Sequence, residues 1–160
     1  MSSDHPLCPP AASSHELVVT RLMQAPRADV WRAFTDHLAD FWCPRPWKAE
    51  LIAQDLRPGG RSEMVMHGPN GEAFPDNGIY LEVVPAERVV FTDAFTSGWH
   101  PAGPFMVGIM EFADEAGGTR YTCRARHWRA EDAEKHRAMG FEQGWGKAAE
   151  QWEEVARRIA

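Results

Sequence analysis

The sequence predicts an α+β domain in which a curved antiparallel sheet wraps one long C-terminal helix, and three observations carry that prediction. Turn chemistry punctuates the middle of the chain at Pro58-Gly59-Gly60, Pro69-Asn70-Gly71, Asp76-Asn77-Gly78, Pro85-Ala86-Glu87 and Gly117-Gly118. Each supplies a fixed proline φ, a glycine free to take positive φ, or both. Turns so closely spaced leave no length for crossover helices, so the strands between them pair antiparallel as a meander. Finally, Phe141, Trp145, Ala148, Trp152, Val155 and Ile159 recur in alternating steps of four and three. They make one apolar stripe on a helix from about Ala130 to Ile159, on the order of 45 Å long.

The elements follow in order. Residues 1–15, rich in Ser, Pro and Ala, read as a disordered tail, with no secretory signal, and residues 16–160 as a single domain. Glu16 to Gln24, rich in Val, Leu and Thr, is a first strand that Ala25-Pro26 stops. Val30, Trp31 and Phe34 then fall at helical spacing, and Leu38, Phe41 and Trp42 mark a second short helix that Cys43-Pro44-Arg45-Pro46 ends. In the later strand Phe105 to Phe112, Met106, Gly108, Met110 and Phe112 share a face opposite Glu111. In Gly118 to Trp128, Tyr121, Cys123, Ala125 and His127 face inward, while Arg120, Arg124 and Arg126 take the solvent face. For Tyr80 and Glu82 the inward face stays open, because Ile79, Leu81 and Val83 look like the buried set.

A chain of 160 residues is long enough for a full core. The net charge of -6 argues against a nucleic-acid footprint, which needs clustered Lys and Arg. No run of apolar residues is long enough for a membrane span, and a soluble protein is expected. Cys8, Cys43 and Cys123 are odd in number and far apart, which suggests neither a disulfide framework nor a cysteine zinc site, and makes a reducing, cytoplasmic compartment the simplest reading. Nucleotide-binding loops and a G-x-S-x-G elbow are absent, so no cofactor is implied. A zinc site would need Glu82, Asp93 or His100 to converge on the histidines from elsewhere, and none is expected.

Candidate site residues come from the last third. Gly140, Gly144 and Gly146 fall inside the helical pattern, each costing about 1 kcal/mol relative to alanine unless closeness or space compensates. His136, Gly140 and Gly144 lie at steps of four along one side. Either the glycines let the sheet come close, or they make a slot for a ligand beside His136. His127 is either a satisfied core histidine or, with His136, the polar end of a pocket that orients a ligand oxygen. Met64, Met66, Met106 and Met110 line an adaptable pocket or ordinary core, and Trp42, Tyr121 and Phe141 join the candidate walls.

The pieces Ala25-Pro26-x4-Val30-Trp31, Asp55-Leu56-Arg57-Pro58-Gly59-Gly60, Gly78-x-Tyr80-x-Glu82-Val83, Pro85-x-Glu87-Arg88-Val89-Val90-Phe91-Thr92 and Gly118-Thr119 resemble, in order and spacing, the SRPBCC (START/helix-grip) superfamily. Within it the chain is similar to the bacterial proteins called activator of heat-shock protein 90 ATPase homologue-like, over about residues 16 to 158. The resemblance implies a helix-grip fold, with six or seven strands gripping the C-terminal helix and a hydrophobic cavity between them. It leaves the chemistry open. The first expectation is a binder of a small apolar or amphipathic molecule. The alternatives are a cyclase- or hydrolase-type enzyme using His127 or His136 as general acid/base, and a chaperone-regulating module; a homodimer also stays open.

Overall fold

A computed structural model describes residues 15–160, so residues 1–14 of the expected tail lie outside the described residues. His15 lies within them, and its carbonyl accepts the backbone N–H of His127 at 2.8 Å. The chain runs β1 (Glu16–Met23), α1 (Arg27–His37), a 3₁₀ turn (Leu38–Asp40), β2 (Lys48–Gln54), β3 (Arg61–His67), β4 (Ala73–Val84) and β5 (Arg88–Thr92). It continues through the short β6 (Phe95–Thr96) and β7 (His100–Pro101) to β8 (Val107–Glu115), β9 (Gly118–Arg126), α2 (Ala130–Ala138) and α3 (Phe141–Arg158).

Seven strands form one antiparallel sheet in the order β1-β9-β8-β5-β4-β3-β2, and β6 pairs with β7 in a separate hairpin. This is the helix-grip arrangement. Because α1 and the 3₁₀ turn separate β1 from β2, those sequence neighbours end at opposite edges of the sheet. The arginines of β9 lie on the outer face, where Arg124 and Arg126 both reach Glu16, at 3.0 and 2.7 Å.

Trp152 anchors α3 to the rest of the core. It is 1% exposed, donates from Nε1 to the Val30 carbonyl at 2.9 Å, and stacks on Phe41 and Phe34 at centroid distances of 4.6 and 5.7 Å. Beside it, the buried Glu153 accepts from the Arg21 guanidinium at 2.8 Å and from the backbone N–H of Gln24, tying the helix to the edge strand β1.

The structure departs from the sequence reading in three places and settles a fourth that the sequence left open. The helical segment from 130 to 159 is not continuous: Gly140 takes a left-handed conformation, φ 92°, and separates α2 from α3. A residue without Cβ enters that region at little cost, so the chain turns there instead of continuing. α3 has 18 residues and is therefore about 27 Å long. Asp76-Asn77-Gly78 is not a turn but lies inside the 12-residue strand β4, where pairing with β3 overrides its turn preference. The second short helix is a single 3₁₀ turn, Leu38–Asp40. Lastly, β4 and β5 shift register between Tyr80 and Glu82. The bulge falls after Tyr80 and breaks the alternation there, so Tyr80 is buried while Glu82 is exposed; Ile79, ahead of it, is also buried.

Candidate functional site

Between the inner face of the sheet and α3 lies a cavity of about 410 Å³. Its walls contain Met64 and Met66 from β3, Met110 from β8, Tyr121 from β9, His136 from α2 and Phe141 and Gly144 from α3. Aromatic packing adds to the lining: Trp42, Phe91 and Trp145 meet at centroid distances of 6.0, 6.2 and 6.4 Å. Gly140 and Met106 also reach the cavity, Met106 from the segment just before β8. His127 does not line it, and neither does Gly146.

His127 instead stands behind His136. Its Nε2 lies 2.9 Å from His136 Nδ1, and its Nδ1 lies 2.9 Å from the His15 carbonyl oxygen. A carbonyl only accepts, so His127 donates from Nδ1, and in its neutral form it offers a lone pair at Nε2. His136 must then donate from Nδ1, which leaves its own Nε2 as an acceptor. That atom has no hydrogen-bond partner among the described residues. The imidazole sits among Phe105, Phe141 and Trp145, at centroid distances of 4.8, 5.0 and 5.9 Å. Burial, and secondarily the nearby His127, pushes the His136 pKa down to about 4, so the ring is neutral at physiological pH.

The glycine question divides by position. A Cβ built on Gly144 meets no atom within 4 Å, so close packing against the sheet does not explain this glycine. Open space lies beside it. Gly108, by contrast, is a close approach: a Cβ there would fall 2.2 Å from the Phe91 ring.

Sequence reasoning missed Asp76. It stands directly opposite Met64 in the β3–β4 register, so its carboxyl projects onto the methionine-lined wall of the cavity. Burial raises its pKa above the ordinary carboxylate range, and Asp93 adds to the effect. Asp93 is also in the lining, and its Oδ1 accepts the backbone N–H groups of Phe105 and Met106 at 2.8 and 3.2 Å. A second missed residue, Gln151, holds the wall from outside. Its amide accepts from Arg45 N at 2.9 Å and donates to the Phe41 and Cys43 carbonyls at 3.0 and 2.8 Å. A buried polar residue inside an apolar helical stripe was the available signal for Gln151; nothing local marked Asp76.

Neither described cysteine is activated. Burial, then Asp76, pushes the Cys43 thiol up to about 11, and burial pushes Cys123 up to about 12. Among the described residues, no group of three or more His, Cys, Asp or Glu side chains is placed to hold a metal ion. No helix among them is long and apolar enough to cross a membrane.

A family model described as Activator of Hsp90 ATPase homolog 1-like protein matches residues 24–157. Among solved structures, the chain is similar to a protein from Nitrosomonas europaea, with 35% identity and a TM-score of 0.88 over 92% of this chain and 97% of that one. A Mycobacterium smegmatis protein follows at 26% identity and a TM-score of 0.80, covering 92% and 94% of the two chains. No curated protein matches it.

Proposed function

The chain belongs to the Activator of Hsp90 ATPase homolog 1-like family, and on that premise we propose that it binds a small apolar or amphipathic molecule in the cavity between sheet and α3. The observation that carries this reading is the cavity itself. At about 410 Å³ it falls in the size range of small-molecule pockets, and its wall is apolar and aromatic with a few polar groups, as such pockets are. Gly144 adds weight. The helix forgoes about 1 kcal/mol there while an alanine methyl would meet nothing, so the space is kept at a cost in helix stability.

Binding is favoured over acid–base chemistry. A general base works best with a pKa near the operating pH, and His136 is held near 4 by its surroundings. With the thiols also pushed up, the cavity offers places to hold a ligand and no activated group to attack one. In this reading the histidine pair is a positioning device, with His127 fixing the ring that meets a ligand.

Native mass spectrometry of freshly purified protein tests the proposal. A co-purifying small molecule is expected, and Gly144→Leu, which fills the space beside α3, is expected to lose it. Retention of the same adduct by Gly144→Leu would place the molecule elsewhere and sink the reading. So would the absence of any adduct combined with no thermal shift from a panel of apolar and amphipathic compounds.

A further inference from the structure

We infer that the occupant of this cavity is an apolar molecule bearing a protonated amine, its ammonium held at Asp76 and its apolar body against the aromatic wall. This rests on the ligand-binding reading above and assigns the charge of the ligand.

The sign of the lining decides the class. Among the described residues, Asp76 and Asp93 are the charged side chains that line the cavity, and no Lys or Arg does. A carboxylate or phosphate entering the site would find no cation to offset its desolvation, and it would meet two like charges. His136 gives an anion nothing either. With His127 neutral, its link to the His15 carbonyl makes His136 Nε2 an acceptor, not an N–H donor. The hydroxyls of Ser62, Tyr80, Thr92 and Tyr121, the Cys43 thiol and the amide of Asn77 also belong to the lining, and these uncharged groups favour neither sign.

The two acids are not equivalent. Asp93 is already satisfied in part by two backbone N–H groups. Asp76 has neither a hydrogen bond nor an ion pair among the described residues, though its carboxyl stands beside Met64 in an apolar wall. An ionised carboxylate so placed, half-buried, is incompletely solvated and bears the repulsion of Asp93 with no protein partner to offset it. A ligand ammonium offsets both, and it forms a charge-assisted hydrogen bond in a region of low dielectric. Trp42, Phe91 and Trp145 in the lining favour the same sign wherever they turn a ring face to the ligand, because ring faces attract cations and repel anions.

Three near-isosteric compounds separate charge from shape: naphthylethylamine, naphthylethanol and naphthylacetate, titrated into the full-length protein by calorimetry at neutral pH. The amine is expected to bind tightest, by about tenfold or more over the alcohol, with the carboxylate weakest. Asp76→Asn should bring the amine to the affinity of the alcohol and leave the alcohol unchanged. If the alcohol or the carboxylate matches the amine in the wild type, the charge assignment is overturned while the pocket reading stands. If the amine keeps its advantage in a folded Asp76→Asn, Asp76 is not its partner and the inference fails. Binding of none of the three overturns the pocket reading and this inference together. Should Asp76→Asn fail to fold, the wild-type ordering decides alone.

Discussion

Three glycines that look alike in the sequence should respond to alanine with different signs. Gly144 lies inside α3, and a Cβ there meets no atom within 4 Å, so Gly144→Ala gains helix propensity with no steric cost. The gain is about 1 kcal/mol, which in a domain of this size raises Tm by about 2–4 °C. Gly146 meets nothing either, and Gly146→Ala should stabilise by the same amount. Gly140 is the opposite case. At φ 92° an alanine carries the left-handed penalty of about 1–2 kcal/mol, so Gly140→Ala should lower Tm by about 2–8 °C. Thermal melts of the three variants, with urea unfolding for the free energies, give the signs. Of the two stabilised variants, only Gly144→Ala places its methyl in the cavity, so only it should weaken naphthylethylamine binding. If all three stabilised equally, the segment from 130 to 159 would be one unbroken helix. A destabilising Gly144→Ala would mean the space beside α3 is not open.

Further outcomes follow from the buried polar groups. Because the folded His136 pKa of about 4 lies below the ordinary 6.5, the unfolded chain takes up the proton first as pH falls. The contribution is therefore complete above pH 6.5 and declines toward pH 4, by at most on the order of 3 kcal/mol. Urea midpoints across that window should fall more steeply for the wild type than for His136→Gln, and parallel curves would refute the lowered pKa. Gln151→Ala leaves Arg45 N and the Phe41 and Cys43 carbonyls without partners, and should cost about 2–4 kcal/mol in urea unfolding. Hydrogen exchange should show the added opening concentrated at residues 41–45, and a uniform increase across the domain would contradict the wall-holding role. Trp152→Ala removes the ring that Phe34 and Phe41 stack upon and should cost about 3–5 kcal/mol, a loss below 1 kcal/mol arguing against its place in the core.

Legibility varied with the range of the forces involved. The inward set Tyr121, Cys123 and Ala125 was readable because strand periodicity alone assigns a face, and all three are buried. The stripe of Phe141, Trp152 and Val155 was readable for the same reason at helical spacing. Asp76 was not. Its neighbours Asn77 and Gly78 carry strong turn preferences, and only pairing with the distant residues Ser62 and Glu63 of β3 holds them extended. The faces of Tyr80 and Glu82 were undecidable because a bulge breaks the alternation that would have settled them. Gly140, Gly144 and Gly146 were indistinguishable because a missing side chain says nothing about whether φ, contact or open space is the reason.

The sequence by itself determined the elements of the antiparallel sheet and its C-terminal helix, and which faces of them are apolar, since periodicity and turn chemistry act over a few residues. It also determined the family, through motifs whose order and spacing survive in the linear chain. Tertiary structure alone decided which polar groups meet the cavity. Asp76 reaches it through its register with Met64, and His127 is kept behind His136 by the His15 carbonyl, 112 residues away along the chain. Such placements depend on pairing across the sheet and on packing between distant segments, and no local pattern encodes them.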